Sequence, residues 1–175
     1  MSQKRAAVLV VNPSRSEAVD AATVLAGLLQ NANFDLFTIS DVSIDGVTNS
    51  AAEKLPDVEI AVVLGGDGTI LRGAELTRER NIPLLGINIG HVGFMAEVIR
   101  PEISVVAKSV IDKSYGLDSR MVLAFEVIRS GKVIDTGWAL NEVTVERQYT
   151  TMVELFVQID GRPLSRWGCD GLIAA

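Results

Sequence analysis

The sequence predicts an α/β domain built on a parallel sheet, followed by an all-β, mainly antiparallel domain that is incomplete within the chain. Three observations carry this expectation. In the first two thirds, short apolar runs alternate with segments of helical periodicity, the pattern of a parallel sheet with helices on its faces. Past residue 116 the strand-like runs follow one another with no helical segment between them, and they turn at Ser130-Gly131 and Asp160-Gly161. A glycine-rich motif, GGDGT at residues 65–69, stands directly behind one of the early apolar runs.

The first run, residues 6–11 (AAVLVV), is continuously apolar, as expected of a strand buried on both faces. Asn12-Pro13-Ser14 is a turn, and Ser14 with Glu17 fits a capping box opening a helix. Ala18, Ala22, Leu25 and Leu29 then recur at helical spacing and give that helix one apolar face. Residues 34–39 (FDLFTI) alternate like a strand, and residues 59–64 (EIAVVL) form a second buried one that runs into GGDGT. Residues 70–80 read as the following helix, 83–87 (PLLGI) as a fourth strand, and 102–115 as a helix with Ile103, Val106, Val110 and Ile111 on one face. Beyond a boundary near Leu117, residues 121–128, 134–145 and 152–159 read as strands, the last with Val153, Leu155, Val157 and Ile159 on one face. Two domains follow, 1–117 and 118–175. The closing residues, CDGLIAA at 169–175, read as a turn entering an apolar strand with no polar tail, which predicts a fragment whose second domain continues elsewhere.

Composition narrows the function. The 175 residues are 48% hydrophobic and 22% charged, ordinary for a globular protein. No apolar run approaches the roughly 18 residues of a membrane span, and Lys4-Arg5 leads into a strand-like run that ends at Asn12-Pro13 instead of a signal-peptide layout. A net charge of −6 argues against nucleic acid or an anionic membrane surface as partner, because both reward clustered Lys and Arg. It leaves room for a small anionic ligand held by backbone amides and a few basic side chains. The only cysteine, Cys169, has no internal disulfide partner, and the cytosol is the simplest compartment.

Four segments carry chemistry. In Gly65-Gly66-Asp67-Gly68-Thr69, the glycines permit backbone dihedrals closed to other residues and let amides approach a phosphate chain, with a helix N-terminus behind them. A carboxylate there repels phosphate unless it binds a metal or accepts a proton from an attacking hydroxyl. A plain strand-to-helix turn with Asp67 or Thr69 as N-cap answers the same pattern. The motif is neither a Walker A loop nor the spaced dinucleotide fingerprint. Asn88, Gly90, Gly93 and Phe94 (NIGHVGF, residues 88–94) form a second loop at the same sheet edge, with His91 given no catalytic role. Asn141-Glu142 are adjacent polar residues in an apolar stretch; they suit vicinal hydroxyls by bidentate hydrogen bonding, or they mark a strand end facing water. Asp170 between Gly168 and Gly171 is, alone, a turn residue. Cys169 reads as a small packed residue, and Trp138 and Trp167 as packing.

The order of these segments, GGDGT, then NxGxxGF, then Asn-Glu, then CDGLI, resembles the NAD kinase family over essentially the whole chain. WALNEVTVE and DGRPLSRWGCDGLI look like its bacterial, particularly actinobacterial, branch. The resemblance implies a Rossmann-like first domain and phosphorylation of the 2′-hydroxyl of the adenosine ribose of NAD. It implies Asp67 as proton acceptor, with Gly65, Gly66, Gly68 and Thr69 in the nucleotide site and Arg72 at a position the family keeps basic. It implies that Asn141 and Glu142 hold the adenosine portion, that Asp170 lines the site and that Phe94 lines the pocket wall. The donor is ATP with magnesium, or inorganic polyphosphate, and the assembly is a homodimer or homotetramer. The family continues after this point with a Thr-Pro-Thr-Gly-Ser-Thr-Ala-Tyr-like loop that the chain does not contain. GGDGT is shared with diacylglycerol-type lipid kinases and resembles a phosphofructokinase motif. The alternatives are therefore a lipid or sugar kinase of that type, or a non-catalytic dinucleotide-binding module.

Overall fold

The structure, a computed structural model, describes residues 4–89, the backbone of 98–99, and residues 102–175. The chain divides into two compact units, Met1–Leu117 and Asp118–Ala175.

The first unit is a six-stranded parallel sheet with strand order β3-β2-β1-β4-β5-β6. Its strands are β1 (Arg5–Val11), β2 (Phe34–Thr38), β3 (Val47–Asn49), β4 (Ile60–Gly65), β5 (Leu84–Asn88) and β6 (Val98–Ile99). Its helices are α1 (Ser16–Asn31), α2 (Asp67–Arg78) and α3 (Ile103–Asp112). The two continuous apolar runs form the centre, where β1 pairs in parallel with β4 from Ala7↔Ile60 to Val11↔Leu64. Ala7, Leu9 and Val11, with Val62 and Leu64, pack under α1 and α3; Val8 and Val10, with Ala61 and Val63, face Ile70 and Leu76 of α2. A strand covered on both faces has no polar side to keep, so alternation disappears.

Local chemistry departs from the sequence expectation at the start of α1. No Ser14–Glu17 capping box forms: the helix opens at Ser16 with Arg15 at the N-cap, and no side chain caps it. Asn12 takes the turn over, its Oδ1 accepting from the Ser14 amide at 3.0 Å. An Asx turn thus competes with the box for the same few residues. The α1 face is as the spacing predicts, with Ala18, Ala22, Leu25, Ala26 and Leu29 buried.

At the amino edge of the sheet, Arg5 ties three elements together. Its guanidinium Nε donates to both Glu59 carboxylate oxygens at 3.0 and 2.9 Å. Its Nη atoms donate to the carbonyls of Ile111 (2.6 Å) and Val110 (2.8 Å), which closes the C-terminal end of α3. The same group lies 4.3 Å from the Phe34 ring centroid. Burial pushes the Glu59 carboxyl up, but the hydrogen bonds and charge of Arg5, with Lys113 adding to them, hold it below the ordinary carboxylate value. The Glu59 hydrogen bond in turn raises Arg5.

The second unit consists of antiparallel ribbons. β7 (Leu123–Arg129) pairs with β8 (Lys132–Ala139), and β10 (Val153–Ile159) with β11 (Arg162–Cys169). Their turns have both central residues at positive φ: Ser130 at 51° with Gly131 at 73°, and Asp160 at 52° with Gly161 at 73°. That is the type I′ geometry matching strand twist. β9 (Val143–Glu146) pairs with β12 (Gly171–Ala174). The stretch 134–145, read from sequence as one strand, is broken between β8 and β9 at Leu140–Glu142, where the polar pair faces solvent.

Candidate functional site

Parallel strands bring every strand-to-helix loop to one edge, and the carboxyl edge of the first sheet assembles most of the nominated residues of the first unit. The amide of Asn12, just past β1, donates to Leu64 O at 3.0 Å. Gly65 of β4 sits in register with Asn88 of β5, and the Ile89 amide donates to Gly65 O at 3.4 Å. Asn88 is fully buried at the end of its strand.

The glycine loop is shorter than the sequence suggested. Gly66, not Asp67 or Thr69, is the N-cap of α2, and Asp67 is the first helical residue. The amides of Thr69 and Ile70 donate to Gly66 O at 2.9 and 3.1 Å. Gly65, Gly66 and Gly68 all have negative φ, so the special dihedral freedom expected of them is not what the turn uses. Gly65 is explained by packing: a Cβ there would stand 2.4 Å from Thr69 Oγ1. Gly66 and Gly68 have no such explanation, because a Cβ on either would meet no described atom within 4 Å. Gly66 is extended, with φ −101° and ψ −171°, a conformation open to any residue. Gly68 occupies a helical position, where glycine is less favourable than alanine by roughly 0.5–1 kcal/mol. The bare backbone they expose flanks the half-buried Asp67.

Arg72, one helical turn beyond Gly68, is exposed, and its Nη2 donates to Ile39 O, just past the carboxyl end of β2, at 3.2 Å. Phe94, with Gly90, His91 and Gly93 of the second loop, lies outside the described residues. One surface hollow, by Asp57–Glu59 and Arg80–Pro83, lies at the amino ends of β4 and β5, and another, at Ile159–Leu164, belongs to the β10–β11 turn of the second unit.

In the second unit the nominated residues separate. Val143 pairs with Ala174 and Glu146 with Gly171, so Asn141-Glu142 precede one end of the β9–β12 ribbon and Asp170 precedes the other. Asp170 lies level with Arg147, five residues beyond Glu142, so at about 3.4 Å per residue the two positions are roughly 17 Å apart along the ribbon. Asp170 is engaged by Arg147, whose amide donates to Asp170 O at 2.9 Å and whose Nε lies 3.1 Å from its carboxylate. Arg147 was not nominated from sequence; its signal is its place across the ribbon from Asp170, which only strand pairing reveals. Loop 12–15 was also passed over, although it follows a strand and must lie at the same edge as GGDGT.

Residues 7–115 match the family model of the ATP-NAD kinase N-terminal domain. An NAD kinase of Thermobifida fusca is 44% identical over 134 residues, covering 74% of this chain and 41% of that protein. An NAD kinase of Mycobacterium leprae is 36% identical over 191 residues, covering 98% of this chain and 61% of that protein. The chain thus spans between about two fifths and two thirds of the length of such curated relatives. A crystal structure of yeast NADH kinase complexed with NADH superposes with a TM-score of 0.81 at 19% identity, covering 98% of this chain and 57% of that one, a likeness of fold. With a family model spanning residues 7–115 and relatives that align over nearly all of its length, the chain belongs to the NAD kinase family.

Proposed function

We propose that the chain belongs to an enzyme that transfers a phosphoryl group from ATP or polyphosphate to the 2′-hydroxyl of the adenosine ribose of NAD, giving NADP. The observation that carries the reading is the open backbone at Gly66 and Gly68 on either side of Asp67. Among the described residues nothing requires either to be glycine, and both leave room for a phosphate chain to reach main-chain amides at the start of α2. Asp67, beside that space, is the group to take the hydroxyl proton.

Phosphoryl transfer through a loose transition state asks mainly for positioning and charge neutralisation, so Asp67 orients the hydroxyl and accepts its proton late without being a strong base. Magnesium arrives on the donor. Asp67 is the one nominated carboxylate at the loop, and one carboxylate plus substrate phosphates is a common way for this ion to be held. Thr69 and Asn88 shape the loop, and Arg72 adds positive charge one turn along α2. In the second unit we assign Asn141 and Glu142 to the dinucleotide's vicinal hydroxyls, and Asp170 to a further contact set by Arg147. Phe94 supplies an apolar wall. A homodimer or homotetramer in the cytoplasm completes the reading, and no helix among the described residues is long and apolar enough to cross a membrane.

The test is NADP formation from NAD and ATP-magnesium by the protein at its natural length, with Asp67→Asn beside it. The substitution is expected to leave NAD binding largely intact and to lower turnover by at least the roughly 100-fold typical of general-base loss. Near-normal turnover in Asp67→Asn would sink the assigned role, and NAD binding without any product in the unmutated protein would favour a binding module.

A further inference from the structure

Two crossovers leave the centre of the sheet in opposite directions. The chain runs from β1 through α1 to β2 on one side and, on the other, from β4 through α2 to β5, with α1 and α2 on opposite faces. A crevice therefore opens between the carboxyl ends of β1 and β4, the position at which open α/β sheets take their ligands. One wall is the glycine loop. The other is Asn12-Pro13-Ser14-Arg15, which no role assigned above uses.

That loop is held from both sides. Asn12 N donates to Leu64 O at 3.0 Å, Ser14 N to Asn12 Oδ1 at 3.0 Å, and Arg15 N to Asn12 O at 3.3 Å. Arg15 is its one cation, half-buried, with Nη1 donating to Ile89 O at 2.8 Å. β4 lies between β1 and β5, so a side chain that starts after β1 and ends on Ile89 crosses the carboxyl end of β4. At about 4.8 Å per strand the crossing spans roughly 10 Å. Ile89 is itself tied to the glycine loop, its amide donating to Gly65 O at 3.4 Å. A guanidinium carries five N–H donors. Among the described residues Ile89 O takes one, and no carboxylate pairs with Arg15.

Resting on the kinase reading above, we propose that Arg15 binds the phosphoanhydride chain of a substrate in this crevice. The Ile89 bond fixes the direction of the guanidinium fork, and its remaining N–H groups donate to phosphate oxygens. Arginine suits this better than lysine because its planar fork meets two phosphate oxygens at once. Phosphoanhydride occurs both in the donor, as ATP or polyphosphate, and in the pyrophosphate of the dinucleotide, and the test separates the two.

The experiment measures binding of tripolyphosphate, ATP-magnesium and NAD by calorimetry, with NADP formation alongside. It compares the unmutated protein at its natural length with Arg15→Gln, Arg15→Met and Arg15→Lys. Arg15→Gln keeps a polar, hydrogen-bonding side chain but no charge, so it decides the matter if Arg15→Met does not fold. Loss of charge is expected to weaken binding by about 10- to 100-fold, with Arg15→Lys recovering only part. Weakening of tripolyphosphate and ATP with NAD unchanged assigns Arg15 to the donor; weakening of NAD alone assigns it to the dinucleotide pyrophosphate. Unchanged affinity for all three ligands in folded Arg15→Gln overturns the proposal. No NADP from the unmutated protein, with Arg15-dependent tripolyphosphate binding intact, sinks the kinase reading and spares Arg15. Normal NADP formation with unaltered binding does the reverse.

Discussion

The three glycines of the loop respond to one perturbation, substitution by alanine, with opposite signs. At Gly66 and Gly68 the backbone already lies where alanine is content, and a Cβ meets no described atom within 4 Å. Such a Gly→Ala change stabilises by about 0.4–1 kcal/mol, chiefly by restricting the unfolded chain. For a protein of this size that raises the melting temperature by about 1–4 °C. At Gly65 the added Cβ would lie 2.4 Å from Thr69 Oγ1 and 2.7 Å from Thr69 Cβ, so the strand or the first turn of α2 must shift. Overpacking of that kind costs about 1–3 kcal/mol. Function divides differently. On the proposed reading, a methyl group at 66 or 68 occupies the space through which a phosphate oxygen reaches an amide at about 2.9 Å. A displacement of about 1 Å at a reacting centre is enough for roughly 100-fold in rate. The assay pairs thermal unfolding with NADP formation for each single variant. Gly66→Ala and Gly68→Ala are expected to be as stable as the parent or more so, and nearly inactive. If they lose stability as Gly65→Ala does, the glycines serve the fold. If they keep full turnover, no ligand uses that backbone, and the reasoning fails.

Other outcomes follow from the amino edge. Arg5→Met removes the hydrogen bonds to Glu59 and to the last carbonyls of α3 and leaves a partly buried carboxylate with Lys113 at 3.5 Å as its partner. With bonds to charged groups contributing about 1.5–3 kcal/mol, a loss of about 2–3 kcal/mol is expected in urea unfolding of the first unit; a loss under about 0.5 kcal/mol would show that solvent replaces the guanidinium. Glu59 has a folded pKa below its ordinary value of 4.5, so its stabilising effect is complete above that pH and fades as pH falls through the lower, folded value. Glu59→Gln should therefore lower stability at pH 7 and match the parent in acid. Equal penalties at pH 7 and pH 3 would show that charge is not the cause.

The centre of the first sheet was legible because two-sided burial writes itself as an unbroken apolar run, as in β1 and β4. The face of α1 was legible because α-helical spacing survives on one covered side. The short edge strands β3 (Val47–Asn49) and β6 (Val98–Ile99) were not: two or three residues are too few to show a period. The start of α1 was misread because Ser14 and Asn12 offer competing local hydrogen bonds, and sequence spacing does not rank them. In the glycine motif the residues were legible but the reason was not. Dihedral freedom and open space both select glycine, and only the negative φ angles separate them. Asn141-Glu142 were legible as polar residues in an apolar stretch, while their separation from Asp170 depends on the register of β9 with β12. A pairing between strands some thirty residues apart leaves no local trace.

The β1–β4 pairing also sets an order of events during synthesis. β1 leaves the ribosome well before β4, and Val11 waits for Leu64, 53 positions later in the chain, before its second edge is covered. At about 5–20 residues per second that interval is roughly 3–10 s. Throughout it, one of the most apolar segments of the chain has only β2 beside it and one row of backbone amides and carbonyls open to any strand that passes. The strand that anchors the finished sheet is therefore the nascent chain's most exposed point for wrong pairing, and conditions that slow elongation between residues 40 and 60 should trade soluble protein for aggregate.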